Sequence, residues 1–288
     1  MISILLPTYN DEKYIEETIS SILKSSFKEF ELLIINDGSN DRTLDIINLF
    51  DDKRIRVISQ KNKGLIKSLN FGLKKAKFDL IARIDGDDIM HENRLEIQYD
   101  LINLFNYDIV GSNAIIINEN SDPIGETDLP ISHEEIKHKL IQMSPAIIHP
   151  SVLMKKDCVI NNGGYNKLYK HCEDFELWVR MIDNYKFYNS KECLVRLRKH
   201  SANISNQFIN QSILNANVAR YNYINSLQSD NLENFKFVKE KINQSLSFTI
   251  LIFLHKINSN LNYRLINKFL NLMIIFTTRL NNIIINKK

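Results

Sequence analysis

The sequence has few of the residues that mark several common classes of protein. Only three cysteines occur, Cys158, Cys172 and Cys193, and none of them forms a C-x-x-C pair, so neither a disulfide framework nor a zinc site is indicated. The N-terminal MISILLPTYND has too few apolar residues before its proline for a secretory signal. No apolar run approaches the ~20 residues of a membrane-crossing helix. These scarcities predict a cytoplasmic protein with reduced thiols.

Acidic residues become rare toward the C-terminus. Residues 1–200 carry 27 basic and 31 acidic residues, whereas residues 201–288 carry 10 and 3. The apolar stretches 246–254 and 265–280 are interrupted or flanked by lysine, arginine and asparagine, which is typical of helices with one apolar face. Such helices either pack on a core or lie on an anionic bilayer. We predict a basic helical extension at 206–288 and peripheral binding to the inner face of the cell membrane; the alternative is a solvated, lysine-biased face.

Short apolar runs in the first third of the sequence lack the alternation of half-exposed strands. Apolar residues at helical spacing begin between them at Ile15 and at Leu65, and Asp41 is a candidate N-cap of another helix. Continuous apolar runs are typical of buried parallel strands. The pattern therefore predicts an α/β fold with helices around a parallel sheet. The runs are ISILL (2–6), FELLII (30–35), IRVIS (55–59) and LIARI (80–84).

The sequence becomes more mixed after these strands. Beyond Ser205 it is helical or rich in asparagine, and we place a domain boundary there. No internal repeat is evident. The expected elements of the middle region are a helix at about 94–105, a strand at about 108–117, a helix near 133–143, short strands near 151–154 and 194–198, and a helix at 173–183.

Polar residues follow each predicted strand, and the most acidic group is DGDD at 85–88. In a parallel α/β sheet, ligands bind outside the carboxyl ends of the strands. Carboxylates crowded at that edge are tolerable if a divalent cation lies among them, because hard cations such as Mg²⁺ and Mn²⁺ take oxygen ligands and share them with phosphates. A solvated helix-capping loop is the alternative interpretation.

Several segments occur in an order that resembles one family, the GT-A glycosyltransferases, and in particular the inverting family 2. The likeness spans roughly residues 1–205. It implies a GT-A (Rossmann-like), mostly parallel sheet flanked by helices, with a nucleotide-sugar half at about 1–117, an acceptor half at about 118–205 and a helical extension. The segments are SILLPTYN, IINDGSNDRT, NKGLIKSLNFGLKKA, RIDGDDI, IIHPSVLMKKD, and GGYN followed by EDFELWVRM.

The resemblance also implies roles for particular residues. Asp87 and His200 would bind a divalent metal, Mn²⁺ or Mg²⁺, and Asp174 would be the general base that deprotonates the acceptor. Asp37 would contact the nucleobase. The implied nucleotide-binding residues are Pro7, Thr8, Tyr9, Asn10, Asp37, Lys63, Gly64, Asp85 and Gly86. The candidates for acceptor or phosphate contacts are Glu173, Trp178, His149, Arg196 and Arg198.

Most of these roles have a structural alternative. Glu173 and Asp174 begin a helical segment, where acids also complement the helix dipole. Tyr9 could stack on the base and Trp178 could form a platform for a sugar, but either could instead pack in the core. Lys63 could be an ordinary surface residue.

The predicted function is transfer of a hexose or N-acetylhexosamine, with inversion, from a nucleotide sugar to a saccharide acceptor, and the expected nucleotide is UDP. A polyprenyl-diphosphate-linked acceptor would suit the basic extension and would place the enzyme in bacterial O-antigen or capsule biosynthesis. No nucleic-acid partner is expected. Two alternatives are a sugar-nucleotide nucleotidyltransferase, although PTYNDEKY lacks the glycine-rich basic loop of that class, and a non-catalytic glycosyltransferase-like binding subunit.

Overall fold

The computed structural model describes residues 1–200 and 208–226. In this part of the chain nine strands form one sheet, and the helices pack around it. The strands are β1 (Ile2–Thr8), β2 (Phe30–Asn36), β3 (Ile55–Ser59), β4 (Leu80–Arg83), β5 (Ile89–Met90), β6 (Ile109–Ile117), β7 (Pro123–Glu126), β8 (Leu153–Lys155) and β9 (Phe187–Arg198). The helices are α1 (Ile15–Leu23), α2 (Thr43–Ile47), α3 (Leu65–Lys75), α4 (Arg94–Phe105), α5 (His133–Ile141), α6 (Lys156–Asn161), α7 (Glu173–Met181) and α8 (Ile209–Ser226), with a 3₁₀ turn at His149–Ser151.

The sheet has a parallel half and a mixed half. Its strand order is β3-β2-β1-β4-β8-β6-β9-β5, and β7 pairs with β6. The neighbours β3, β2, β1 and β4 are parallel, as are β6 and β9, whereas β8 is antiparallel to both β4 and β6. The antiparallel ladders are short, so the long parallel ladders dominate the sheet, as predicted.

The four predicted N-terminal strands are confirmed. Every residue of β1 and β2 is buried, because these strands are covered on both faces by helices. β3 is only partly buried, and here the prediction of a buried strand was wrong. The reason is that β3 lies at the edge of the sheet, where it has one neighbouring strand.

Amphipathic spacing predicted α1 and α3 well. In α1 the side chains of Ile15, Ile19 and Ile22 are fully buried against the sheet. Gly72 lets α3 approach β1 closely, since a Cβ there would lie 2.2 Å from Leu5 Cδ1. α2 begins one residue after the expected helix start, and the predicted capping residue Asp41 does accept a hydrogen bond from the backbone N–H of Thr43 at 3.0 Å.

The second half departs more from expectation. α4 has the predicted bounds, and α5 and α7 agree with their predictions to within two residues at their C-terminal ends. The predicted strand at 194–198 is the last part of β9, which is twelve residues long and runs parallel to β6. The short elements β5, β7 and α6 were not predicted, because two to six residues carry little periodic signal.

The predicted domain boundary near 205 lies where the structure is not described, and it stays a prediction. Met1–Arg220 forms one compact unit. Most of the predicted basic extension, 227–288, lies outside the described residues. Within the described part of the chain, no helix is both long and apolar enough to cross a membrane.

Candidate functional site

The polar segments that follow the parallel strands meet at one edge of the sheet. Thr8 pairs with Asn36 at the carboxyl ends of β1 and β2, and β4 ends beside β1, where Leu5 pairs with Arg83. The first two loops are joined by hydrogen bonds: the Asn10 N–H donates to Ser39 Oγ at 3.0 Å, and Asn10 Oδ1 accepts from the Asn40 N–H at 2.9 Å. The strand register therefore places the predicted nucleotide loops side by side.

The loop after β1 presents one aromatic ring to solvent. Tyr9 is 45% exposed, so the alternative of core packing is wrong. Pro7 and Thr8 are buried beneath it, and Asn10 adopts a left-handed backbone with φ 57°. Stacking of Tyr9 on a base stays a prediction, and its exposed ring is compatible with that role.

Asp37 organises the loop that follows β3. Its carboxylate is buried and accepts hydrogen bonds from the backbone N–H of Lys63 at 3.0 Å and of Gly64 at 2.7 Å, and from Gln60 Nε2 at 2.7 Å. Gly64 has φ 87°, a backbone conformation that favours glycine. Lys63 is exposed. Asp37 thus fixes the rim of the site, and its contact with a base stays a prediction.

Three carboxylates form a compact cluster after β4. One oxygen from each of Asp85, Asp87 and Asp88 lies within 4.8 Å of the others. Asp85 is ion-paired with the buried guanidinium of Arg83, and Asp87 Oδ2 lies 2.9 Å from His200 Nε2. The structure therefore brings together the two predicted metal ligands, although they are 113 residues apart in the sequence.

Burial sets the charge state of the cluster. Desolvation raises the pKa of Asp85, and repulsion from Asp87 adds to this, while the Arg83 charge opposes it. Asp88 is fully enclosed, so desolvation and the charges of Asp87 and Asp85 raise its pKa well above the usual value. Relief of this repulsion is what a divalent cation would supply.

Asp11 is a fourth carboxylate at this edge, and the sequence did not single it out. It accepts a hydrogen bond from Thr8 Oγ1 at 2.7 Å. Burial raises its pKa to about 7, and the charge of Asp87 contributes. A Cβ at Gly86 would lie 2.3 Å from Asp11 Oδ2, so glycine is needed at this position to let the two loops approach.

The residues of the cluster fit a hard divalent cation. All the ligand atoms are carboxylate oxygens or an imidazole nitrogen, a donor set suited to Mg²⁺ or Mn²⁺. Asp88 Oδ2 is buried and has no hydrogen-bond partner among the described residues. A bound ion or its coordinated water would satisfy such a buried polar atom. Neighbouring groups hold the ligands in place, since Arg198 donates from Nε to the Asp87 carbonyl at 2.8 Å and from its backbone N–H to Asp88 Oδ1 at 2.9 Å.

A second pair of acids, Glu173 and Asp174, opens α7. The residue before them, Cys172, caps the helix without a side-chain hydrogen bond, while Asp174 Oδ1 accepts from the Phe175 N–H at 2.8 Å. Burial raises the pKa of Asp174, and burial together with the Asp174 charge raises the pKa of Glu173 to about 7. The Asp174 charge also contributes to the raised pKa of Asp85, so the pair lies close to the cluster after β4. Both acids also lie in the first turn of α7, where they complement the helix dipole, and the role of Asp174 as the base stays a prediction.

Two predicted acceptor contacts lie behind the site. Trp178 is 1% exposed and packs edge-on against His149 and Phe187, so the sugar platform was wrong. The cause is its place on the inner face of α7. His149 is also buried, and its Nε2 lies 2.8 Å from the Tyr165 hydroxyl. Desolvation lowers the pKa of His149 well below the usual value, and the neutral ring supports Tyr165 instead of binding a phosphate.

The prediction that Arg198 contacts a phosphate was also wrong. Its side chain is 1% exposed and forms an ion pair with Glu17 at 2.5 Å. The guanidinium also lies over the Tyr14 ring, 4.5 Å from the centroid. Buried Arg198 thus stabilises the loop that contains Asp87. Arg196 is exposed on β9, and its phosphate contact stays a prediction.

The sequence left three buried participants unrecognised. Arg83 ends the apolar run of β4, and a charge in such a strand was a signal that a buried partner follows. Asp88 was visible in DGDD but was not assigned as a ligand. Tyr165, in contrast, gave no sequence signal, because its contact with His149 arises only in the folded chain.

Comparison with known proteins decides the family. The model of Glycosyl transferase family 2 matches residues 3–162, more than half of the chain. The chain belongs to glycosyltransferase family 2. The O-antigen biosynthesis glycosyltransferase WbnJ of Escherichia coli is 31% identical over 209 residues, which are 70% of this chain and 80% of WbnJ. The resemblance predicted from the motifs is confirmed, and the nucleotidyltransferase and the non-catalytic binding subunit are not supported.

Solved structures confirm the GT-A fold of this family 2 glycosyltransferase. Residues 1–349 of Staphylococcus aureus TarS in complex with UDP-GlcNAc match with a TM-score of 0.66 and 20% identity, covering 86% of this chain and 73% of TarS. The Pyrobaculum calidifontis mannosyltransferase PcManGT in complex with GDP-Man and Mn²⁺ matches with a TM-score of 0.59 and 12% identity, covering 79% of this chain and 65% of PcManGT. At these identities the likeness shows the fold alone.

Proposed function

We propose that this glycosyltransferase transfers a hexose or N-acetylhexosamine from a UDP sugar to a saccharide acceptor, with inversion at the anomeric carbon. One observation carries the proposal: the carboxylates of Asp85, Asp87 and Asp88, with His200 Nε2, gather at the carboxyl edge of the parallel strands. The charge of Asp174 contributes to the raised pKa of Asp85, which supports a base close to this cluster. This arrangement supplies a site for a diphosphate and a base in one place.

The donor would lie along the edge formed by the loops after β1, β2 and β3. The exposed ring of Tyr9 and the rim that Asp37 fixes offer a place for the base. UDP is favoured because the similar TarS structure contains UDP-GlcNAc. Asp87 with His200 and Asp85 would hold Mn²⁺ or Mg²⁺, which when bound offsets the charge of the leaving diphosphate.

Asp174 would act on the acceptor side of the donor sugar. Its carboxylate takes the proton from the acceptor hydroxyl while the oxygen forms a bond to the anomeric carbon. The bond from that carbon to the diphosphate oxygen breaks, and its electron pair leaves with UDP. Because attack and departure occur on opposite faces, the configuration inverts without a covalent enzyme intermediate.

The acceptor would be a saccharide of a surface polysaccharide. The name of the similar protein WbnJ, an O-antigen biosynthesis glycosyltransferase, supports this role. A polyprenyl-diphosphate-linked acceptor at the inner face of the cell membrane is part of the proposal and is motivated by the basic composition of residues 201–288.

Release of UDP tests the proposal. The full-length chain should release UDP from a UDP sugar when Mn²⁺ and a saccharide acceptor are present, and EDTA should stop the release. Asp87→Ala should weaken Mn²⁺-dependent binding of UDP by about ten- to a hundredfold, the loss typical when a group that holds a metal is removed. The matched control is Asp100→Ala, which removes an exposed carboxylate from α4. Equal UDP affinity in the Asp87 variant and the control would refute the metal assignment.

A further inference from the structure

A basic groove lies between α3 and the loop that precedes α7. It encloses about 650 Å³. One wall is α3 and the other is the segment 162–167, and Arg180 also lines the groove. Four lysines line it, and the sequence assigned only the first of them a role: Lys63, Lys67, Lys74 and Lys167.

The lysines are exposed and point to a ligand that the chain itself does not provide. None of the four side chains forms an ion pair within residues 1–200 and 208–226, whereas Arg180 is ion-paired with Glu176 at 2.8 Å. The apolar residues of α3 face the sheet, so the lysines occupy its outer side. Lys67 and Lys74 are two turns apart, about 10 Å along the helix axis. Cations spread over this length suit several anionic groups on one chain better than a single phosphate.

The walls of the groove are held at a fixed separation. Asn70 of α3 donates from Nδ2 to the Tyr165 carbonyl at 2.8 Å, and its Oδ1 accepts from the Tyr165 N–H at 2.9 Å. The Arg180 guanidinium donates to the carbonyls of Asn162 and Gly164, which ties the loop to α7. A site whose walls are already positioned loses less free energy on ordering when it binds a ligand.

Helix α7 connects the groove with the acids of the site. Arg180 lines the groove and lies six residues after Asp174 on α7, about 9 Å along the helix axis. Tyr165 also forms part of the groove wall, and its hydroxyl contacts His149. A chain held in the groove would thus lead toward Asp174. Phe71 adds an apolar ring surface to the same wall.

We propose that the groove binds an acidic acceptor glycan, a saccharide chain with carboxylate or phosphate groups at intervals. The lysines would contact its anionic groups while its terminal hydroxyl reaches Asp174. This inference rests on the proposed function, of which it specifies the acceptor class. A neutral glycan would leave Lys67, Lys74 and Lys167 without a role.

The test is binding of labelled oligosaccharides to the full-length protein, measured by fluorescence anisotropy. The probes are a galacturonic acid hexamer, its fully methyl-esterified neutral form and a glucose hexamer joined by phosphodiester linkages. At least one charged probe should bind, with an affinity that falls as salt is raised, and the esterified probe should not. The charged probe that binds tells whether carboxylates or phosphates are recognised.

A matched pair of triple variants assigns the binding to the groove. Lys67→Gln, Lys74→Gln and Lys167→Gln together should weaken the charged probe about tenfold, since each exposed ionic contact contributes a factor of roughly two or more. Lys24→Gln, Lys139→Gln and Lys191→Gln remove three exposed lysines elsewhere and should change the affinity less than about twofold. Circular dichroism checks that both variants are folded.

Three results would overturn the inference. The first is equal binding of charged and esterified probes, and the second is an equal loss of affinity for the charged probe in the two triple variants. The third is displacement of the probe by UDP with Mn²⁺, which would place the donor in the groove. Binding of the glycan is measured without turnover. If the protein releases UDP but binds no charged probe, only the groove proposal is rejected. If it releases no UDP, the proposed function is rejected.

Discussion

The two groups of acids in this glycosyltransferase differ in what surrounds them. In the cluster after β4, Asp85 is paired with Arg83, and Asp87 contacts His200. Within residues 1–200 and 208–226, in contrast, Glu173 and Asp174 form no ion pair. Burial raises the pKa of acids in both groups, but Asp85 has the guanidinium of Arg83 in direct contact, whereas Arg83 acts on Glu173 and Asp174 only through its charge. Environment separates a metal ligand from a base.

Substitution of the proposed base, Asp174, should give the largest effect of all, a loss of turnover. Asp174→Asn removes the proton acceptor but keeps the size of the side chain, so turnover should fall by about 10²–10⁴-fold. UDP and Mn²⁺ should bind as in the unmodified protein, because the cluster after β4 is intact. The measurements are initial rates of UDP release with acceptor and calorimetric titration with UDP.

The control for the Asp174 variant is a substitution of Glu176, another acid of α7. Glu176 is ion-paired with Arg180, and Glu176→Gln should reduce turnover far less than the Asp174 variant. A fall of similar size in both variants would mean that α7 acts through its structure and would remove the reason for assigning Asp174 as the base.

Removal of Arg83, the cationic partner of Asp85, tests the cluster after β4. Arg83→Met should lower the free energy of unfolding by about 3 kcal/mol, because the carboxylate of Asp85 is left without its buried partner. The double variant Arg83→Met with Asp85→Asn should recover part of the loss. Lys13→Met is the control: its ion pair with Glu119 is exposed and screened by water, so its loss should change the free energy of unfolding far less.

Urea unfolding measures all three changes. Equal losses for Arg83→Met and Lys13→Met would show that the pair between Arg83 and Asp85 adds nothing beyond an ordinary surface contact. Failure of the double variant to recover stability would instead assign the loss to packing of the Arg83 side chain.

The comparison also shows which parts of the site could be read in the sequence. The acids of DGDD and the exposed Tyr9 follow strands, so strand patterns placed them at the correct edge of the sheet. The partners of these acids could not be placed in this way. Arg198 reaches Asp87 from the end of β9, and His200 reaches it from two residues beyond that strand. The parallel pairing of β9 with β6, which brings both there, depends on the whole fold.

Sequence patterns also did not predict how deeply each side chain of the site is buried. The spacing of Asp174 and Trp178 places them on one face of α7, yet Trp178 is enclosed and the Asp174 residue is partly exposed. Four residues along a helix fix a direction but not the depth of each side chain below the surface. That depth depends on His149 and Phe187, which come from other elements.

A smaller effect is expected from the second acid of α7, and it should depend on pH. The pKa of Glu173 is raised from 4.5 to about 7, so between these values the folded protein holds a proton that the unfolded chain has lost. The stability that this proton supplies is present below pH 4.5 and is lost as pH rises to about 7. Glu173→Gln stays neutral, and its free energy of unfolding should exceed that of the unmodified protein at pH 8 by up to about 3 kcal/mol.

The difference should shrink toward zero at pH 4.5, which urea unfolding at the two pH values would reveal. Glu192→Gln, which changes an exposed glutamate, should alter stability by less than about 0.5 kcal/mol at either pH. If the Glu173 variant kept the same pH dependence as the unmodified protein, the pH dependence would have to come from other groups such as Asp174, whose pKa burial also raises.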